Sequence, residues 1–251
     1  IARALALYRL GLRGDAEREW LAGLRGASDA ELLAAARLAC SREIYDRCIN
    51  EASRMRQHDD WSLRYLLPYR EPLEAAAGAH GLDPACVYGL IRQESRFAPA
   101  ARSAVGARGL MQIMPATGRW IARRRGIGGF RPATLEEPAT NLEFGTWYMR
   151  HVLDELGGSI LLASAGYNAG PRRPARWRQL VGRQVDGALF AELIPFSETR
   201  RYAQNVMANT AAYAAMLRGE PLLLRPWLGT VDPVGPSTEP DADAPQPAPG
   251  P

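Results

Sequence analysis

No lysine occurs anywhere in the chain of 251 residues, so its 31 basic side chains are all arginine. A phosphate-binding P-loop needs its lysine and Schiff-base catalysis needs a lysine amine, so neither chemistry is available. Histidine is scarce too: His58, His80 and His151 lie far apart with no HExxH arrangement, and no metal site or cofactor is expected. The three cysteines, Cys40, Cys48 and Cys86, form no CxxC pair and are too few for a disulfide-stapled scaffold. Cys40 and Cys48 would pair only if their helices bring them together; the expectation is that they are small buried hydrophobes. Nowhere do about 18 apolar residues run uninterrupted, so no membrane-spanning helix is expected. The chain starts at Ile1 without a methionine, a basic n-region or an apolar h-region, and it is expected to be processed or truncated.

At 47% hydrophobic residues the chain can bury a substantial core. Its isoelectric point near 9.2 is compatible with nucleic acid, an anionic cell-wall polymer or a membrane surface. A formal charge of only +4 reads more simply as scattered, solvated arginines. Strand-like alternation is nearly absent, and the pattern is all-α. Residues 1–67 read as short amphipathic helices separated by small turns, as in an α-superhelix or solenoid. Residues 68–228 continue with helices near 70–80, 84–96, 115–125, 140–156, 158–168, 172–181, 186–193 and 198–217. Residues 229–251 are rich in proline and acidic residues, cannot bury enough apolar surface, and are expected to be a disordered tail.

One helix carries a residue of the wrong kind. In DPACVYGLIRQESRF, Asp83 can cap the start and Pro84 fits the first turn. Val87, Leu90 and Ile91 then form an apolar stripe whose next position is Glu94. A carboxyl on an apolar face is desolvated, its pKa rises, and it keeps the proton that a general acid needs. Alternatively, Glu94 sits in a frayed last turn and pairs with Arg92 or Arg96. The following stretch, SAVGARGLMQIMPATG, is a small-residue loop in which Gly106 and Gly109 permit close approaches and Gln112 is the lone amide. Such a loop suits a ligand groove, or is simply a connection ending at the helix-starting Pro115.

These blocks carry a resemblance. QESRF, then S-x-x-G-A-x-G-L-M-Q-I-M-P-A-T, then A-x-Y-N-A-G-P resemble the soluble lytic murein transglycosylase family, in the family's order. NLEFGTWYMRHVLDEL and IPFSETRRYAQNVM are similar to its intervening and last helices, so the resemblance covers about residues 70–217. The N-terminal helices are similar to the end of the α-superhelical region that precedes the catalytic domain. The resemblance implies a lysozyme-like, mostly α catalytic domain that needs no metal or cofactor. Its implied substrate is the bond between N-acetylmuramic acid and N-acetylglucosamine in the glycan strands of peptidoglycan, with no nucleic acid as partner. Glu94 matches the single catalytic acid and Ser95 the serine beside it. Ser103, Gln112 and Met114 match positions lining the saccharide groove, Tyr167 and Asn168 the pair of the third block, and Glu198 a further groove-side glutamate. A periplasmic location follows from the same resemblance, as does a role for the N-terminal helices as a surface for other cell-wall enzymes.

The sequence departs from the family after the third block, where Pro171 is followed by Arg172 and Arg173. AGYNAGP also reads as a helix C-terminus, and Ser197 with Glu198 as a helix cap followed by a favourable first-turn charge. Two other activities remain open. One is a hydrolase of the goose-type lysozyme kind with Glu143 or Glu198 activating water, and the other is a non-catalytic peptidoglycan-binding or scaffolding protein.

Overall fold

The computed structural model describes residues 1–57 and 60–233. His58 and the residues of the expected tail from 234 onward lie outside the described residues. The chain divides between Leu66 and Leu67 into two compact units.

The first unit holds α1 (Ala2–Arg9), α2 (Arg13–Gly23), α3 (Asp29–Ser41), α4 (Tyr45–Arg54) and the single turn α5 (Trp61–Arg64). Alanine makes the close packing possible: Ala4, Ala35, Ala36, Ala39 and Ala52 meet Trp20, Leu24 and Leu32 in one core. Helix α3 starts with a capping box in which Ser28 and Glu31 satisfy each other's backbone N–H groups. Helix α4 buries two carboxylates, and both are paired, as burial requires. Glu51, fully buried, accepts from Trp20 Nε1 at 3.1 Å and pairs with Arg54. Asp46 receives Arg13 at 2.6 Å and Arg47 at 3.0 Å.

The cysteines depart from expectation. Cys40 and Cys48 form a disulfide, with Cα atoms 5.2 Å apart, and Cys86 alone is a buried free thiol. The tight α3–α4 turn is the reason. Ile44 N–H returns to Ala39 C=O, and Glu43 takes a left-handed φ of 57°. The chain therefore reverses at once, and the last turn of α3 faces the first of α4.

The second unit contains α6 (Arg70–Ala79), α7 (Pro84–Glu94), α8 (Pro115–Arg124), a 3-10 turn (Pro132–Glu136), α9 (Pro138–Glu155), α10 (Ile160–Ala169), α11 (Arg172–Val181), α12 (Gly187–Leu193), α13 (Ser197–Arg218) and α14 (Arg225–Leu228). Each helix expected from residue 70 onward is present within a few residues of its expected span. Helices α7 and α13 form the centre. They approach so closely at Gly89 that a Cβ there would lie 2.5 Å from Thr210 Oγ1. Tyr88, Phe97 and Tyr213 stack around the same contact, and Tyr88 donates to Pro68 C=O. Helix α13 ends at Gly219, whose φ of 66° suits a left-handed terminator.

The tail boundary expected at 229 comes too early. Thr230–Val231 pairs antiparallel with Val185–Asp186, and Val231 is only 2% exposed. The pairing has room because Gly187, which follows the first strand, has no side chain: a Cβ would meet Leu228 C=O at 2.1 Å. A lone valine in a polar context gives no periodic signal.

Tryptic digestion without reductant should release one linked peptide pair containing Cys40 and Cys48, while Cys86 alkylates only after unfolding. Cys40→Ser should lower the stability of the first unit by about 2.5 kcal/mol, the chain-entropy value for so short a loop. Separate peptides in the digest would show that the bridge does not form.

Candidate active site

Helix α7 runs apolar from Ala85 to Ile91 and ends at Glu94. The chain then turns sharply, with Arg96 and Phe97 both left-handed at φ 48° and 64°. Such backbone is costly for residues with side chains and persists where packing enforces it. Phe97, fully buried against Tyr88 and Tyr213, is the anchor. Glu94 is left partly buried, with protein packed densely around its carboxyl.

Tyr202 of α13 donates its hydroxyl to Glu94 Oε1 at 2.5 Å. Burial pushes the Glu94 carboxyl up from 4.5 to about 8, and the Tyr202 hydrogen bond, which favours the ionised form, pulls against it. Glu94 is therefore a neutral acid at pH 7. Tyr202 and Tyr167 are both pushed well above the usual phenol value, first by burial and then by the Glu94 charge, so both stay protonated donors. The alternative pairing of Glu94 with a neighbouring arginine is not what Arg92 offers, because its guanidinium donates to Asn209 Oδ1 at 2.9 Å.

The loop from Ser95 to Met114 wraps against this acid. Ser95 Oγ donates to Leu110 C=O at 2.7 Å and ties the end of α7 to the loop. Ser103 closes a small turn, accepting Ala107 N–H on its hydroxyl at 3.0 Å and donating its own N–H to Ala107 C=O. Gln112 adopts a left-handed φ of 47° and donates its amide to Gly109 C=O and Ala101 C=O. Met114, half-buried, precedes Pro115 as the residue before α8. Tyr167, near the end of α10, donates to Met111 C=O at 2.9 Å. Its neighbour Asn168 accepts from Thr199 Oγ1 of α13 at 2.7 Å. Gly170, at φ 85°, does end α10 as the sequence suggested.

Glu198 meets this cluster at Tyr202, with which it shares a pocket. It is exposed in the first turn of α13, where Phe196, not Ser197, occupies the capping position. With Gln93, Ser197, Arg201, Tyr202 and Asn205 it lines a pocket of about 300 Å³. Glu143 is committed elsewhere, to Arg125 at 2.6 Å and His80 at 3.3 Å.

Three family models cover most of the chain: the soluble lytic murein transglycosylase L domain over residues 1–60, the transglycosylase SLT domain over 71–190, and the soluble lytic transglycosylase helical domain over 193–221. The chain belongs to the soluble lytic transglycosylase family. Among solved structures, an inactive variant of lytic transglycosylase Slt from Pseudomonas aeruginosa matches with a TM-score of 0.84 at 35% identity, over 92% of this chain and 37% of that one. The 70-kDa soluble lytic transglycosylase of Escherichia coli matches at 0.80 and 32%, over 91% and 36%. A soluble lytic murein transglycosylase of Salmonella typhimurium is 34% identical over 214 residues, 85% of this chain and 33% of its own length. The chain thus spans about a third of the length of the curated relatives it matches.

Sequence reading of this soluble lytic transglycosylase chain missed Tyr202 and Asn141. Tyr202 lies four residues after Glu198 on one face of α13, so its position was available, but tyrosine on a buried stripe reads as core. Asn141, fully buried in the first turn of α9, was passed over for another reason, because an amide at a helix start reads as a capping residue.

The Glu94 shift has a signed consequence for stability. Below pH 4.5 the unfolded chain also carries neutral Glu94, so nothing is lost. Between pH 4.5 and about 8 the unfolded carboxyl ionises while the folded one stays protonated, and stability falls. Above 8 the full penalty of a few kcal/mol applies. Glu94→Gln should therefore melt higher than the parent at pH 9 and alike at pH 4. Tyr202→Phe removes the one interaction that lowers the pKa, so a carboxyl carbon-13 titration should place Glu94 higher than in the parent. An unchanged or lower midpoint would refute the role given to Tyr202.

Proposed function

We propose that this chain is the catalytic end of a lytic transglycosylase that cleaves the β-1,4 bond between N-acetylmuramic acid and N-acetylglucosamine without water, leaving 1,6-anhydromuramoyl ends. The observation that carries this reading is a single enclosed carboxyl, Glu94, neutral to about pH 8 and bonded by Tyr202. Conventional glycosidases set two carboxylates about 5–5.5 Å or about 6.5–9.5 Å apart across the bond. Here Glu143 is held by Arg125 and His80 instead.

With one carboxyl the substrate supplies the nucleophile. Neutral Glu94 protonates the glycosidic oxygen as the bond to C1 breaks. The resulting carboxylate, still accepting from Tyr202, then takes the proton of the muramic acid C6 hydroxyl as that oxygen bonds to C1. Glu94 ends protonated again and no water is consumed. Ser95, Ser103, Gln112, Met114, Tyr167 and Asn168 would line the saccharide groove around it. Since Gln112 spends its amide N–H on the loop, its oxygen is the group it offers to sugar hydroxyls.

The Cys40–Cys48 disulfide supports an oxidising compartment, in keeping with a periplasmic protein. Among the described residues no helix is long and apolar enough to cross a membrane. Peptidoglycan strands are the proposed partner, and the N-terminal helices a surface for other cell-wall enzymes.

A hydrolytic reading has one observation in its favour, the exposed Glu198 in the pocket that Tyr202 also lines. Oxygen-18 water separates the two. Digestion of purified murein should yield anhydro-ended muropeptides without label at C1, and a dominant labelled reducing end would promote the hydrolase. Glu94→Gln should lower turnover by about 10²- to 10⁴-fold, and parent activity should decline as pH rises through about 8. Near-normal turnover in the folded variant would remove Glu94 as the acid.

A further inference from the structure

Asn141 lies in the first turns of α9 and is fully buried. A buried amide must find partners, and all of its partners are backbone groups. Its Oδ1 accepts Met111 N–H at 2.7 Å, and its Nδ2 donates to Arg108 C=O at 2.9 Å and Leu135 C=O at 2.7 Å. Gly109 makes the fit possible, because at φ 79° a Cβ there would stand 2.2 Å from Asn141 Nδ2. One turn along α9, Gly145 leaves room for Met111, whose sulfur would be 2.3 Å from a Cβ. Helix α9 thus seats Met111 twice, by an amide and by a missing side chain.

The same short run of backbone faces the acid on its other side. Leu110 C=O holds Ser95, next in sequence to Glu94, and Met111 C=O holds the Tyr167 hydroxyl. Gln112 follows directly. We propose that Asn141 is a positioning residue for the reaction, fixing the backbone at Met111 so that the Met111 carbonyl, in the next peptide group, aims Tyr167 and its successor Gln112 into the groove at Glu94. It does not touch the substrate. This inference rests on the transglycosylase reading.

Serine at 141 is too short to reach all three partners. Asn141→Ser should leave KM nearly unchanged and lower kcat on the order of 10²-fold, the loss that a displacement of about 1 Å can cause. In a double-mutant cycle with Tyr167→Phe, the two losses in kcat should fall short of multiplying, because both act through the backbone of Met111. Leu153→Ala, which removes buried side chain farther along α9, should destabilise the fold yet keep kcat near the parent value. Losses that multiply, or an equal fall in kcat for Leu153→Ala, would overturn the proposal. If Asn141→Ser does not fold, amide exchange of the parent decides: Met111 N–H should be protected like core amides, and exchange as fast as exposed Ala104 refutes the clamp. An active parent with inactive Glu94→Gln but independent effects at 141 and 167 refutes this inference alone. An active Glu94→Gln refutes the transglycosylase reading, and this inference with it.

Discussion

The contact between α7 and α13 at Gly89 and Thr210 is the constraint on which the site hangs. The helices nearly touch there, and farther along each of them Glu94 and Tyr202 come within one hydrogen bond of each other. A side chain at 89 would force the helices apart. The hydroxyl would then leave the carboxyl before any group in the groove had moved. The aromatic trio Tyr88, Phe97 and Tyr213 braces the same junction, and Phe97 pulls the chain into the strained turn directly after Glu94. Local strain, tight packing and the acid are thus consecutive parts of one device.

Much of this was legible in the sequence, for identifiable reasons. Glu94 stood out because a carboxylate continued an apolar stripe, a contradiction that burial and chemistry resolve together. The helices of the second unit were readable because their 3.6-residue pattern is bounded by proline and glycine, as at Pro84, Pro115, Gly170 and Gly219. Partners set by three-dimensional closure were not readable. Tyr202 obeys the same periodicity as ordinary core and Asn141 sits where a helix-start amide is common, so only their hydrogen bonds distinguish them. The Cys40–Cys48 bridge depends on a reversal at Glu43, a left-handed non-glycine residue that no turn signal announces. The strand at Thr230–Val231 depends on a gap left by Gly187.

The site is also where stability is given up. In the first unit the two buried carboxylates have charged partners: Glu51 meets Trp20 and Arg54, and Asp46 meets two arginines. At Glu94 the partner is a neutral phenol, so above neutrality the folded state carries an acid that would rather be in water. Left-handed φ values at Arg96, Phe97 and Gln112 add strain in the same short region. Such clustering is what a preorganised site requires, since groups free to relax would settle into geometries unsuited to the reaction.

A single carboxyl that must give a proton and then take one back faces opposing demands. Burial alone would keep Glu94 protonated but make it a weak acid, held neutral far above physiological pH and slow to give up its proton. Full solvation would leave it ionised, with no proton to give. The two influences on it here oppose each other, burial raising the pKa and Tyr202 lowering it, and the balance falls near 8. That value keeps the acid loaded at neutrality and still lets the carboxylate exist, hydrogen-bonded, between the two proposed proton transfers. Tyr202 can serve in this way because its own ionisation is suppressed by burial and by the Glu94 charge, so it remains a donor throughout. A charged partner in its place, an arginine for example, would pull the carboxyl down towards permanent ionisation and disable the proposed first step.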